Sequence, residues 1–195
     1  MKKFVEMNAL RILCFWLLIA SISSYASSQT PTTAPACGKA EVHMDGATYL
    51  ITPAAIFAVE LPQGWVMEKS KSNPFYFLKS GEKYSNARTL MYIHIERLET
   101  PLQTAVENDA RAFRQSCQPS QIREMTAPNI LEEGCERETQ MFLCNRRDGA
   151  YVDLDTKISV GGLLLNVVLS AGDESQISRY QKDYEFLLTH TALVK

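Results

Sequence analysis

Histidines are the side chains in this sequence most suited to acid–base chemistry, and there are three of them: His43, His94 and His190. They lie far apart, in segments with different hydrophobic patterns. A hydrolytic triad needs a histidine within hydrogen-bond reach of both a nucleophile and an orienting acid. The sequence also lacks a Gly-x-Ser-x-Gly nucleophile motif. The sequence therefore does not indicate an assembled catalytic triad.

Two groups of polar residues share one face of a predicted strand. His94 and Glu96 form the first group, and Asp153 and Asp155 with Tyr151 form the second. Residues two apart point to the same side of a strand, so either group could join an acid–base pair or a metal site. The solvent-facing side of a half-buried strand carries the same alternation, and this interpretation stays open for both groups.

Charged residues also cluster in predicted loops. Such clusters either determine binding or keep solvated turns soluble. The acidic cluster consists of Glu132, Glu133, Glu136 and Glu138 and is interrupted by Arg137. The basic pair is Arg146 with Arg147. Further along the chain, Gly161-Gly162 indicates a tight turn rather than a phosphate-binding loop, because a strand and not a helix follows it.

Four cysteines follow the N-terminal apolar segment: Cys37, Cys117, Cys135 and Cys144. No two of them have Cys-x-x-Cys spacing, so we expect structural disulfides and no bound metal. If strands 121–125 and 136–143 pair antiparallel, Cys117 and Cys144 come together. Cys135 and Cys144 bracket one strand and would be ~30 Å apart. The predicted pairs are therefore Cys117–Cys144 and Cys37–Cys135.

The first 26 residues have the features of a secretory signal peptide. Lys2, Lys3 and Arg11 make the segment positive, Ile12 to Ile19 is apolar, and small residues precede a cleavage site after Ala26. This apolar run is shorter than the ~20 residues of a membrane-spanning helix, and no later run is long enough. We expect a periplasmic or secreted protein with a flexible linker over 27–36 and a single domain over 37–195.

The predicted mature chain is mildly acidic. It has 17 basic and 21 acidic side chains, a net charge of about −4. Nucleic acids and anionic membrane surfaces favour concentrated positive charge, so neither is an expected partner. The expected partner is a protein or small ligand of unknown identity, and no cofactor is predicted.

Strand patterns dominate the first half of the chain. An N-terminal hairpin is predicted over 42–51 around Asp45-Gly46, and strands over 57–61 and 65–67 are joined by a type I turn with Pro62 second and Gly64 fourth. Further strands are predicted over 75–78 and 89–98. The period then changes, and a helix is predicted over 101–116, with Thr100 as its cap and Gln103 completing a capping box.

The second half begins with strands and ends with a helix. Strands over 121–125, 136–143, 150–159 and 163–170 are predicted, the last three as an antiparallel meander. Leu163 to Leu169 is nearly all apolar, which indicates a central strand covered on both faces. Asp173 can cap a final helix with an apolar stripe from Ile177 to Leu187. The resulting fold class is α/β: an α/β/α sandwich around a mainly antiparallel sheet.

This order of elements resembles the PsbP/Mog1-like fold, and most nearly the exported bacterial DcrB-like proteins. The resemblance spans about 55–192 and rests on Phe57-Ala-Val-Glu-Leu-Pro-Gln-Gly-Trp65, the helix opened by Thr-Pro-Leu, and the final Tyr184-Glu-Phe-Leu-Leu188 helix. Members include photosystem accessory proteins, a binder of a small nuclear GTPase and secretion-effector chaperones. The resemblance implies a mostly non-catalytic role and assigns no functional residue.

Two functions follow as hypotheses. The first is a non-enzymatic exported accessory or binding protein, associated with the envelope, that uses a sheet face or a loop surface. The alternative is an envelope-acting hydrolase that uses His94 and Glu96. A mainly structural role in envelope integrity is a third possibility. A pocket that contains His94 and a carboxyl group with a shifted pKa would favour the hydrolase.

Overall fold

The computed structural model describes residues 33–35, 43, 45–68, 73–125, 136–146 and 149–194. Eleven strands and two helices occur in these ranges. The strands are β1 (Thr33–Pro35), β2 (Thr48–Ile51), β3 (Ile56–Val59), β4 (Trp65–Met67), β5 (Phe75–Lys79), β6 (Thr89–Arg97), β7 (Ser120–Met125), β8 (Arg137–Arg146), β9 (Gly149–Val160), β10 (Leu163–Ala171) and β11 (Thr191–Val194). The helices are α1 (Leu102–Ser116) and α2 (Glu174–Thr189). In the described part of the chain, neither helix is long and apolar enough to cross a membrane.

Seven strands form one antiparallel sheet in the order β4-β5-β6-β10-β9-β8-β7. The predicted meander β8-β9-β10 is confirmed, with a turn at Gly161-Gly162 where both residues have positive φ. β10 is the central strand, and it pairs with β6 and β9 along its whole length. β7 and β8 pair antiparallel as predicted.

Adjacent residues of β10 pack against different helices. Leu165, Val167 and Leu169 belong to the main core, which α2 covers with residues that include Tyr184. Leu164 faces the other way and packs against α1 in a smaller apolar cluster with Leu102 and Val106. Because neighbouring side chains of a strand point to opposite faces, the helices cover opposite sides of the large sheet. The predicted α/β/α layering is confirmed.

A second sheet, not predicted, has the order β1-β11-β3-β2. Its residues Leu50, Phe57 and Val59 join the main core beside α2. An N-terminal hairpin is present and consists of β2 and β3. Val42 and Met44, which were assigned to the predicted hairpin, lie outside the described residues.

The segment predicted as a flexible linker contains β1, which pairs antiparallel with β11. This pairing is made by backbone groups, whereas composition describes side chains. The polar and Pro-rich composition therefore does not indicate it. Pro35 is compatible with an edge strand because it lacks only a donor. The rest of 27–36 lies outside the described residues, as does the predicted signal peptide over 1–26.

Two local predictions were wrong. The turn before β4 begins at Pro62, whose carbonyl accepts from the Trp65 N–H, so Gly64 is its third residue, with φ of 79°. A positive φ there is typical of a type II turn, and the strands on either side belong to different sheets. α1 is preceded by Pro101 without a side-chain cap, and Gln103 instead donates to Glu107.

The cap of α2 follows the prediction. The Asp173 carboxylate accepts from the Gln176 backbone N–H at 3.0 Å. Ile177, Tyr184 and Leu187 of the predicted stripe are buried. The Tyr184 hydroxyl is bonded to Thr156 and to the Val167 carbonyl, so this helix places a satisfied polar group in the core.

Candidate functional site

The α1-facing side of the large sheet carries a polar layer. Strand alternation and the pairing register bring residues from three neighbouring strands to this side. In the register, Asn166 of β10 is opposite both His94 of β6 and Lys157 of β9. The members of this layer are Tyr92, His94 and Glu96 of β6, Asp153, Asp155 and Lys157 of β9, and Asn166 and Ser170 of β10.

A cleft of about 670 Å³ lies between this layer and α1. Its lining is mixed in charge and includes polar side chains from the sheet, from α1 and from the loop that joins β6 to α1. The polar lining residues are His94, Glu96, Arg97, Glu99, Thr100, Asn108, Asp109, Lys157 and Asn166. Ala105, Ala112, Leu98 and Leu164 provide its apolar parts.

Lys157 is the buried cation of the cleft. Its ammonium group lies 2.7 Å from Asp109 Oδ2 on α1 and 2.7 Å from Asp155 Oδ2 on the same strand. The Lys157 and Asp155 side chains are each 7% exposed, whereas Asp109 is 46% exposed. Burial lowers the pKa of Lys157, but Asp155 and Asp109 raise it more, so its pKa lies above the ordinary value. The lysine is therefore charged and links α1 to the sheet.

Two neighbouring carboxyl groups, those of Asp155 and Asp153, have raised pKa values. Burial raises the pKa of Asp155 to about 6, although the charge and hydrogen bond of Lys157 oppose that shift. Burial also raises the pKa of Asp153 to about 6, against a hydrogen bond from Ser170 that lowers it. One oxygen of each group, Oδ1, is buried without a hydrogen-bond partner among the described residues. Both groups therefore change charge near pH 6.

His94 and Glu96 share one face of β6, as the strand alternation predicted, and both line the cleft. The other two histidines lie elsewhere: the His43 backbone N–H donates to Glu60, and the His190 ring stacks on Phe186 at 3.7 Å. The three histidines thus do not form one site. The carboxyl groups with raised pKa values are Asp153 and Asp155, and the residues lining the cleft include neither of them.

Other predicted candidates are dispersed. Tyr151 lies on the α1-facing side near the Phe113 ring, with centroids 6.3 Å apart. Glu136 and Glu138 are exposed. Glu132, Glu133 and Arg147 lie outside the described residues. Within the described ranges, no group of three or more His, Cys, Asp or Glu side chains is arranged to hold a metal ion.

Sequence reasoning missed Lys157, Asp109 and Asn166 as site residues. Each of these residues has a feature in the sequence that indicates a site position. Asn166 interrupts the apolar run of β10, and Lys157 follows Asp155 on the same strand face. Asp109 lies on the same helix as the buried Val106 and Ala110. A polar residue inside an apolar pattern marks a position with a buried partner or a ligand.

The Cys117–Cys144 disulfide fastens the C-terminal end of α1 to β8, with Cα atoms 5.7 Å apart. This is the pair expected from the strand order. Beside it, the Phe113 ring packs edge-on against Phe142 with centroids 4.9 Å apart. α1 is thus held at its C-terminal end by this disulfide and in its middle by the Lys157–Asp109 pair. Cys37 and Cys135 lie outside the described residues.

A row of tyrosines continues the polar layer away from α1. Tyr76 of β5 is opposite Tyr92 of β6, with ring centroids 5.8 Å apart, and Tyr84 packs on Tyr76 at 4.8 Å. Tyr92 precedes His94 by two residues on the same strand face. Burial raises the pKa of Tyr92 well above 10, so its hydroxyl stays neutral. No tyrosine of the row is among the described residues that line the cleft.

No protein-family model and no curated protein matches the sequence. Solved structures match over most of the chain. PsbP (CyanoP) from Synechocystis sp. PCC 6803 is 16% identical with a TM-score of 0.51, covering 75% of this chain and 92% of that one. LpqN of Mycobacterium tuberculosis is 11% identical with a TM-score of 0.52, covering 89% and 97%.

The Ran-binding protein Mog1p of Saccharomyces cerevisiae also matches, at 8% identity and a TM-score of 0.45, covering 74% of this chain and 86% of that one. At such identities, these likenesses concern the fold alone. None of the three structures is named as a DcrB-like protein, so that finer resemblance stays a prediction. The chain has the PsbP/Mog1-like fold.

Proposed function

We propose that this protein is a non-enzymatic, exported accessory or binding protein that holds a protein or small ligand in the cleft between α1 and the large sheet. The observation that carries this proposal is the polar cleft itself, with Lys157, Asp109 and Asn166 converging on it. Ligand sites are concave and combine apolar walls with a few placed polar groups. This cleft has both features.

The chemistry of the lining supports binding better than catalysis. Among the described residues that line the cleft, Thr100 bears the only hydroxyl group, and none of them is a serine or cysteine. Lys157 is engaged by two carboxylates and keeps its charge, so it is a poor nucleophile. The carboxyl groups with raised pKa values are those of Asp153 and Asp155, which do not line the cleft. These carboxyl groups are therefore poorly placed to exchange protons with a ligand.

Three observations support export and association with the envelope. Residues 1–26 have the composition of a signal peptide, and the Cys117–Cys144 disulfide suits an oxidising compartment. LpqN, which shares the fold, is involved in cell envelope biogenesis. The predicted single domain belongs to the same proposal, with β1 (Thr33–Pro35) as part of it rather than of a flexible linker.

Site-specific photo-crosslinking in the cells that produce the protein tests the binding role. A photoreactive residue replaces Glu96 in the cleft, and a matched variant carries it at Lys182, an exposed position on α2. A discrete crosslinked species is expected only from position 96. Equal adducts from both positions, or no adduct from position 96, would contradict the proposal.

The hydrolase is the alternative, because His94 and Glu96 do line one cleft with Asp109. It predicts turnover of p-nitrophenyl esters that is lost in His94→Ala and retained in His190→Ala, since His190 is stacked on Phe186 elsewhere. We expect no turnover that depends on His94. Turnover lost in His94→Ala but kept in His190→Ala would favour the enzyme.

Mass analysis of the exported protein tests the compartment. The expected mature chain begins at Ser27, and non-reducing peptide mapping is expected to join Cys117 to Cys144 and Cys37 to Cys135. A species that retains residues 1–26 would refute export by this route. Four free thiols in the exported protein would refute the oxidised framework.

A further inference from the structure

Acidic groups outnumber basic groups around the cleft. The charged side chains that line it are three acids, Glu96, Glu99 and Asp109, and two bases, Arg97 and Lys157. The ammonium of Lys157 is already paired with Asp109 and with Asp155, which lies outside the lining. A concave surface with excess carboxylates concentrates cations from solution. The charge of the cleft therefore favours a positively charged ligand.

Three buried acceptor oxygens of the same layer lack a hydrogen-bond partner among the described residues: Asp153 Oδ1, Asp155 Oδ1 and Asn166 Oδ1. Asp153 and Asp155 do not line the cleft, so their oxygens are not offered to a ligand there. Asn166 lines the cleft directly. A buried acceptor without a donor destabilises the fold, so a ligand that donates an N–H group to Asn166 would relieve a cost already present.

Lys157 shows which donor this layer accommodates. Its Nζ lies 2.7 Å from each of two carboxylate oxygens, the short separation of charge-assisted hydrogen bonds. One of those carboxylates, Asp109, is 46% exposed and keeps its second oxygen for another donor. The cluster thus already binds one alkylammonium group supplied by the chain, and Asp109 faces the cleft with capacity for a second.

We propose that the cleft recognises an alkylammonium group, carried either by a linear polyamine or by a lysine side chain of a partner. This inference rests on the proposed binding function and names the chemistry of the ligand. Glu96, Glu99 and Asp109 provide the negative charge, and Asn166 provides a neutral acceptor.

Calorimetric titration with spermidine tests the inference, with 1,8-octanediol as the uncharged control. Spermidine is expected to bind and the diol is not. The double variant E96Q/E99Q should weaken spermidine binding at least about tenfold, because it removes two of the charges lining the cleft. The matched control E82Q/E185Q makes the same charge change at two glutamates that do not line the cleft and should bind like the wild type. Raising the salt concentration from about 0.05 M to about 0.5 M should weaken binding.

A second titration distinguishes the two sources of the ammonium group. A short peptide with one lysine is compared with the same peptide after acetylation of that lysine, which removes the charge. Preference for the free peptide over spermidine indicates a protein partner, and the reverse indicates a polyamine. Either result supports the inference. Equal binding of both peptides together with no binding of spermidine overturns it.

Two further outcomes also overturn the inference. One is spermidine binding that E82Q/E185Q weakens as much as E96Q/E99Q, which would be attraction to the whole acidic surface. The other is displacement of spermidine by Ca²⁺ at equal or lower concentration, which would make the carboxylates a cation site of another kind. If amines do not bind while position 96 still crosslinks, this inference fails and the binding role stands. If both experiments are negative, both fail.

Discussion

Asp153→Asn is expected to stabilise the protein at high pH and to leave its stability at low pH nearly unchanged. Burial raises the pKa of Asp153 to about 6, against a hydrogen bond from Ser170 that lowers it and the nearby Asp109 that raises it. In the unfolded chain the same carboxyl group titrates near its ordinary value of 3.8. The folded protein therefore binds this proton more tightly than the unfolded chain does.

The direction of the pH effect follows from that difference. Below about pH 4, Asp153 is protonated in both states and costs the fold nothing. As pH rises toward 6, the unfolded chain has released the proton and the folded chain still holds it, so the free energy of unfolding falls. Above 6 the native state carries a buried carboxylate whose Oδ1 has no partner among the described residues. Asparagine has nearly the same shape and carries no charge at any pH.

The magnitude follows from the two pKa values. A change from the ordinary 3.8 to about 6 corresponds to about 3 kcal/mol at 1.36 kcal/mol per pH unit. Asp153 is only partly buried as a residue, so solvent screening reduces the expected gain to about 2 kcal/mol. The free energy of unfolding of Asp153→Asn minus that of wild type should thus be near zero at about pH 4 and about 2 kcal/mol at about pH 8.

Urea unfolding at a series of pH values measures this difference. Asp45→Asn, at an exposed loop position, is the matched control and should show no such pH dependence. The reasoning is refuted if the effect of Asp153→Asn is the same at both ends of the pH range. Destabilisation that grows with pH would refute it as well, because it would mean that the carboxylate is stabilised in the fold.

Three further substitutions test the contacts around α1 and the main core by urea unfolding. Lys157→Met leaves Asp155 buried without its cation and should destabilise the protein by about 3 kcal/mol; a loss below about 1 kcal/mol would mean that the pair is solvated. Trp65→Phe removes the indole N–H that donates to Asp183 at 2.7 Å and should cost about 1 kcal/mol, whereas no loss would mean that this bond contributes nothing. Replacing Cys117 and Cys144 by serine opens a 27-residue loop and should cost about 3 kcal/mol, and stability equal to wild type would show that the disulfide constrains little.

The fold was largely predictable because its strands are long, alternate regularly and are joined by glycine turns. Gly161-Gly162 fixes the β9–β10 hairpin locally, and Asp173 fixes the start of α2. The small sheet was not predictable in the same way. Its pairing joins β11 to β3 and β1, which are more than a hundred residues away in sequence, through backbone groups. No local pattern encodes such a pairing.

The site was predictable only in part. His94 and Glu96 were found because they share a strand face, which is a local property. Their partners depend on tertiary packing: Asp109 reaches Lys157 only because α1 crosses β9. The turn at Pro62 shows the same limit. Pro62 and Gly64 indicate a turn, but the sequence does not show which of its four positions each residue occupies.

The two faces of β10 explain how the fold can hold a polar cleft next to its central strand. On the α2 side, Tyr184 is the large polar residue, and its hydroxyl is satisfied by Thr156 and by the Val167 carbonyl. That face is otherwise a continuous apolar core and contributes most of the burial energy. On the α1 side the apolar cluster is small, and Asn166 interrupts the strand. Unsatisfied oxygens on this side each cost about 1–3 kcal/mol, a cost that the opposite core can offset. The face that contributes less to stability is therefore the face where polar groups can be kept ready for a ligand.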